Sequence, residues 1–429
     1  MKRILLPILF SGSLLSATAQ ETVYPAPKQT APFVITNATV HVGNGTVLQN
    51  SSVLVADGKI VQVGASVSAP AGTRSINGAG KHLYPGLIIS NSYLGLVEVP
   101  SVRASSDVQE IGDMNPSVRA LVAYNTDSRV INTLRPNGVL LAQVAPSGGW
   151  ISGASSVVQL DAWNWEDAAY KADNGFYLTM PPLIARPRGF RPATTPEVDP
   201  IRQGLDQVDA MKAFFREAKA YGAAHQETNL GFEAVQGLYD KSKKLFVNAN
   251  TVRQMLVALD FVREFGFDLV IVGGSDSWQI ADLLKQNNVA VILSQPHRLP
   301  TLEDDDVDQP YKTPALLQQA GVLFAINDED GQTRGRNLPF NAGTAAAYGL
   351  SKEQALSAIT LNAARILGVA DRTGSIEPGK DANLVLSTGD ILDMRTNNVT
   401  DAFIQGRTIP LENKQTQLYD RYRSKYGLR

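Results

Sequence analysis

The chain has 429 residues, 44% apolar and 19% charged, and its 39 Lys and Arg against 41 Asp and Glu give a formal net charge of −2. That length suits two or three domains of about 150 residues, or one large barrel with an accessory domain, and the apolar content excludes global disorder. Near-neutral charge argues against a nucleic-acid or anionic-membrane partner, and the lack of Cys excludes disulfides, zinc ribbons, iron–sulfur clusters and thiol nucleophiles. Only four His are present, which tightly limits any metal or acid–base site.

Residues 1–20, MKRILLPILFSGSLLSATAQ, read as an export signal. Lys2 and Arg3 form a basic start, an apolar stretch runs from Ile4 to Leu15, and Ala17-Thr18-Ala19 fits small-x-small cleavage near Ala19. The expected product is exported, periplasmic or secreted, with no membrane association after cleavage. Residues 21–32 are Pro-rich and are expected to be a flexible leader. Residues 33–84 alternate with a β period, and VLVADGKIVQVG carries a hairpin signal at Asp57-Gly58. Asn44-Gly45 marks a second turn.

From residue 85 to 370 strand-like and helical runs alternate. About six to eight such β–α units predict a (β/α)8 TIM-like barrel rather than an open sheet. Residues 371–411 return to a β pattern without helical partners. They are expected to rejoin residues 33–84 as one small β-sandwich built from both ends of the chain. Residues 412–429 read as a polar helix docked on the body. PSGGWISGASS and VGGSDS lack the glycine spacing of a nucleotide loop.

The stretch KHLYPGLIISNSYLGL looks like the entry into an amidohydrolase-superfamily barrel. NLPFNAGTAAAYGLSKEQALSAITLNAARILGVADRTGSIEPGKDANLVLSTGDIL closely resembles the imidazolonepropionase-like branch of that superfamily. The resemblance runs from about Phe33 to Pro410. It implies hydrolysis of an amide-like or cyclic C–N bond by water activated on zinc or another divalent metal, with a carboxylate taking the proton.

The resemblance also implies where the ligands belong: His-x-His after the first barrel strand, His at the ends of strands five and six, and Asp at strand eight. Here the first pair falls on Asn91 and Tyr93, the next on Asn248 and the next on Gly273. All four expected His are absent, and no Lys lies at 176–182 for a bridging carbamate. Strand eight keeps Asp328, Glu329 and Asp330. The usual metal site cannot be assembled, so no cofactor is expected.

Of the four His, His41, His82 and His225 read as structural or exposed. His297 follows VAVILSQ, just beyond a strand end where barrel sites form, and is either functional or a hydrogen-bonded loop residue. Arg334 and Arg336 follow strand eight and either fork a carboxylate-bearing ligand or pair with neighbouring acids such as Asp330. Glu303, Asp304, Asp305, Asp306 and Asp308 form a solvated acidic loop or attract a hard cation.

Three readings result. The first is a degenerate hydrolase that binds a small polar ligand, through candidates Asn91, Tyr93, Asn248, Arg334 and Arg336, or supports an active homologue in a homo- or hetero-oligomer with a related amidohydrolase. The second is an active hydrolase with a rearranged site in which His297, Asp328 and Asp330 are catalytic. The third is a structural or interaction protein of the exported compartment with a vestigial pocket.

Overall fold

The computed structural model describes residues 24–183, 199–223, 227–300, 304–329 and 335–428. The export signal, His225, Glu303, Asp330 and Arg334 lie outside the described residues.

The β pattern of the first segment becomes β1 (Phe33–His41), β2 (Val47–Ala56), β3 (Lys59–Gly64), β4 (Arg74–Asn77) and β5 (His82–Pro85). Asp57 and Gly58 join β2 to β3 with φ of 50° and 76°. Two positive φ values are what a type I′ turn requires. A Cβ on Gly58 would lie 3.0 Å from the Gln405 carbonyl oxygen, so the hairpin tip also needs glycine for close approach.

The barrel strands follow as β6 (Leu87–Ser92), β7 (Val139–Val144), β8 (Ile151–Gln159), β9 (Ala169–Thr179), β10 (Lys244–Ala249), β11 (Leu269–Gly273), β12 (Ala290–Leu293) and β13 (Phe324–Ile326). They form one eight-stranded sheet in sequence order. Their near-continuous burial is that of strands covered on both faces. This is the TIM-like barrel expected from the alternation, with one departure. β8 runs antiparallel to both β7 and β9, so no crossover helix separates them. The PSGGW stretch makes the first of these turns. Gly149 there has φ of 64°, and a Cβ would lie 2.6 Å from the Asp113 carbonyl oxygen.

The sheet order ends at β13 on one side and β6 on the other. The side chain of Asn327 spans the seam: Ser90 N–H donates to Oδ1 at 3.2 Å, and Nδ2 donates to the Asn91 carbonyl at 2.9 Å. At the opposite end of the barrel, the helix Leu361–Leu367 finishes on Gly368 at φ of 73°. Lys244 donates to the carbonyls of Arg365 and Ile366, and Lys171 to that of Gly368. Ammonium groups there satisfy the last carbonyls and complement the helix dipole.

The chain then returns as β14 (Leu384–Ser387), β15 (Val399–Ile404) and β16 (Arg407–Thr408). These join the first segment in a second eight-stranded sheet, ordered β16-β15-β14-β5-β1-β2-β3 with β4 beside β1. The strands from both ends of the chain thus form one continuous sheet rather than two separate ones. Register shifts in β1 let its first half pair with β4 and its second half with β5. Bulges of this kind sharpen the local twist. Phe33 and Phe403 stack in its core with ring centroids 4.7 Å apart.

Two expectations about the chain ends change. The described part of the leader is held, not loose. Ala26 is buried; its N–H donates to Asp161 Oδ2 at 2.9 Å and its carbonyl accepts from Arg407. Asp161 is itself buried between Arg407 at 2.8 Å and Arg135 at 3.2 Å, and the leader backbone completes that cluster. The C-terminal helix Lys414–Lys425 buries no residue. It is tethered at its start, where Asn413 caps it and donates to the Asn132 carbonyl. Its sequence offers tyrosines rather than an aliphatic stripe, too little apolar surface to demand docking.

Candidate functional site: the barrel mouth

The C-terminal ends of the strands surround a cavity of about 500 Å³. Asn91, Ser92 and Tyr93 enter it from β6 and the residue after, Asn248 from β10, Gly273 from β11, and Asp328 and Glu329 from just beyond β13. Leu94, Val97, Pro100, Val108, Val272, Ile292 and Leu293 give it apolar walls. Asn91, Tyr93, Asn248 and Gly273, where the resemblance places histidines, thus line one cavity together with Asp328 and Glu329. The volume falls within the roughly 300–1,000 Å³ of small-molecule sites.

Local structure fixes each of these groups. Asn248 lies opposite Thr179 in the parallel ladder and donates from Nδ2 to Thr179 Oγ1 at 3.3 Å. Gly273 has φ of 97°, and a Cβ on it would stand 2.4 Å from Asn250 Oδ1. A side chain at this position would strain the backbone and require the Asn250 side chain to move. Asn250 is held in turn by the Ser275 hydroxyl, which donates to its Oδ1 at 2.9 Å. Asp328 is buried, and its Oδ2 accepts from the Asn337 N–H at 2.8 Å. Glu329 accepts from the Gln295 N–H at 3.2 Å and from Asn327 Nδ2 at 3.4 Å.

This donor set does not fit a divalent metal of the zinc class. Zinc takes imidazole, thiolate and carboxylate ligands. The mouth here offers two neutral carboxamides, a phenol, a residue without a side chain, and the carboxylates of Asp328 and Glu329. Among the described residues no three His, Asp or Glu side chains are grouped so as to hold an ion.

The other candidates sit elsewhere. His297 is exposed and does not line the cavity. Its Nε2 lies 3.0 Å from Thr344 Oγ1, and its ring meets Tyr311 edge-on. Arg336 is half-buried on the loop after β13, also away from the lining. In the acidic loop, Asp306 and Asp308 are bridged by Lys312 at 3.1 and 2.7 Å. His41 and His82 face each other at the join of the small sheet and the barrel. His41 Nε2 is 3.0 Å from His82 Nδ1, and its Nδ1 is 2.7 Å from Glu353 Oε1.

One residue near the mouth has no place in the sequence reading. Arg298 donates from Nη2 to the Ser275 hydroxyl, and through it braces Asn250. Burial pulls its guanidinium below the ordinary range, while Glu329 and Asp276 oppose that shift. The signal available was a cation next to His297 after a strand end, and the His drew the attention instead.

Several known proteins resemble the chain. An imidazolonepropionase of Mesorhizobium japonicum is 24% identical over 366 residues, covering 79% of this chain and 87% of that protein. An imidazolonepropionase of Phocaeicola vulgatus is 37% identical over 106 residues, 24% of each. Among solved structures, an amidohydrolase from Thermotoga maritima superposes with a TM-score of 0.76 at 25% identity, covering 88% of this chain and 99% of that one. An adenosine deaminase from Xanthomonas campestris with bound zinc shares the fold at a TM-score of 0.54 and 18% identity, covering 93% of this chain and 98% of that one. The model of the amidohydrolase family matches residues 189–409, just over half the chain, and with the barrel and its mouth already in place this protein belongs to the amidohydrolase family.

Proposed function

We propose that this amidohydrolase-family protein binds a small ligand at the barrel mouth without the metal-activated hydrolysis its relatives' fold is built around. One observation carries the reading. The strand ends that would present imidazoles present Asn91, Tyr93, Asn248 and Gly273 around an open cavity. Carboxamides and a phenol hydrogen-bond to neutral polar groups, and they do not lower the pKa of a bound water. Gly273 supports the reading, because its positive φ disfavours any side chain there. An open mouth also speaks against a purely structural role, which a side-chain-filled barrel would suit better.

The competing reading, a rearranged hydrolase, needs His297 within reach of the acids after β13. His297 is engaged with Thr344 and Tyr311 outside the lining. Assays of the full chain against lactams, hydantoins and dipeptides, each with and without added zinc or manganese, decide between them. The proposal expects no turnover above that of Asp328→Asn under any condition. Turnover that disappears in both Asp328→Asn and His297→Ala would establish the rearranged hydrolase instead.

A further inference from the structure

One wall of the mouth differs from the rest. After β6 the chain forms a short hairpin in which Val97 and Ser106 pair as an antiparallel bridge. Asp107 N–H donates to the Leu96 carbonyl at 2.8 Å and Glu98 N–H to the Ser105 carbonyl at 3.0 Å. The Ser105 hydroxyl donates to the carbonyls of Val99 and Val102, so the tip is pinned and the surface is preformed. Val97, Pro100 and Val108 of this hairpin line the cavity. Val99 and Val102 on the same hairpin stand 48% and 47% exposed, and Tyr93 at its base is 47% exposed. The same hairpin thus places apolar side chains both in the cavity lining and, at the neighbouring Val99 and Val102, on the open surface. Scattered exposed valines need no explanation, but valines that adjoin a ligand cavity do.

The polar end of the cavity has a definite character as well. The two carboxylates that line it are each engaged by a backbone N–H, Asp328 by Asn337 and Glu329 by Gln295. Asn91 and Asn248 bring carboxamides, each with donor and acceptor capacity.

We infer that the mouth takes an amphipathic ligand: an uncharged amide-type head set against Asn91 and Asn248, with an aliphatic chain lying along the 94–108 hairpin and out over Val99 and Val102. This rests on the binding reading proposed above and adds the chemical class of the ligand. A small molecule is the occupant because the exposed valines adjoin a cavity of small-molecule size rather than a flat face.

Calorimetric titration of the full chain with straight-chain primary amides, propionamide to octanamide, tests it. Each added methylene is expected to lower Kd by about fourfold, about a thousandfold across the series. The double variant Val99→Ser, Val102→Ser, at the two exposed valines outside the cavity lining, is expected to flatten that dependence for the longer amides and to leave propionamide unchanged. Its melting curve verifies that it folds. Affinity that does not change with chain length overturns the inference while leaving the binding reading intact. A chain-length dependence that survives in the double variant also overturns it, since the chain then lies elsewhere. Failure of every amide to bind, together with stoichiometric metal at the mouth, removes both the inference and the reading beneath it.

Discussion

Gly273 concentrates the chemistry of the site in one residue. Its φ of 97° lies where side-chain-bearing residues are strained, and Asn250 Oδ1 occupies the space a Cβ would take. A ligand imidazole restored there by one substitution would therefore carry backbone strain and displace the Asn250 side chain. Gly273→His is expected to lower unfolding stability by about 2–4 kcal/mol, read from urea midpoints, through backbone strain and displacement of Asn250. It is also expected to leave the chain without bound zinc; a variant as stable as the parent would show that the turn can relax. The four missing His were legible in the sequence, because each expected position could be counted from a strand end. The crowding that a side chain at 273 would meet was not legible, because it depends on Asn250, a residue on a different strand's loop. The two readings left open for His297 could not be separated for a similar reason. A strand end can be read from apolar periodicity, but the course of the loop beyond it cannot.

Elements show the same division between local and distant causes. The β2–β3 hairpin was legible because Asp57 and Gly58 supply both positive φ values within the turn itself. The reversal of β8 was not, since ISGASSVVQ is rich in small and polar residues and its first half lacks the apolar pattern of a strand. Only the shortness of the PSGGW connection, too brief for a crossover helix, hinted at it. Where β1 and β5 meet the helix Lys352–Ala358, the His41–His82 pair stacks on Tyr84. Burial first, then the neighbouring His41, holds His82 below its ordinary value of 6.5; Lys352 adds to this and Asp390 opposes it. Glu353 faces the pair through His41. Because the folded state resists this proton and the unfolded state accepts it, stability rises with pH in this window. The contribution of His82 is fully present above about pH 6.5 and is lost as pH falls below it toward the depressed folded value. Thermal melts of His82→Phe are expected to show a shallower loss of stability than the parent on acidification from pH 6.5. A steeper loss would mean that His82 is protonated in the fold.

At the scale of the whole molecule, the two ends of the chain are bound together through the barrel. Asp161 follows β8, yet it holds Arg407 of β16 at 2.8 Å, Arg135 at 3.2 Å and the Ala26 N–H at 2.9 Å. Three segments far apart in sequence share one buried carboxylate, an arrangement no local pattern announces. That is why residues 24–32, read as a flexible leader from their composition, are fixed. Asp161→Ala leaves two buried guanidinium groups without their counterion, and is expected to cost about 3–5 kcal/mol in chemical unfolding. It is also expected to release the leader, seen as new proteolytic cleavage before residue 33. Equal protection in the variant would mean that the leader is held by other contacts, such as those of Gln29 with Val55 and Gly58.

The same scale carries the proposed function, in which a barrel mouth lined by Asn91, Tyr93, Asn248 and Gly273 binds its ligand without a metal. Elemental analysis of the full chain, purified from cells grown with added zinc, manganese and iron, tests this most directly. The account predicts no metal in stoichiometric amount, and an Asp328→Asn variant indistinguishable from the parent. One ion per chain, lost in Asp328→Asn, would contradict it.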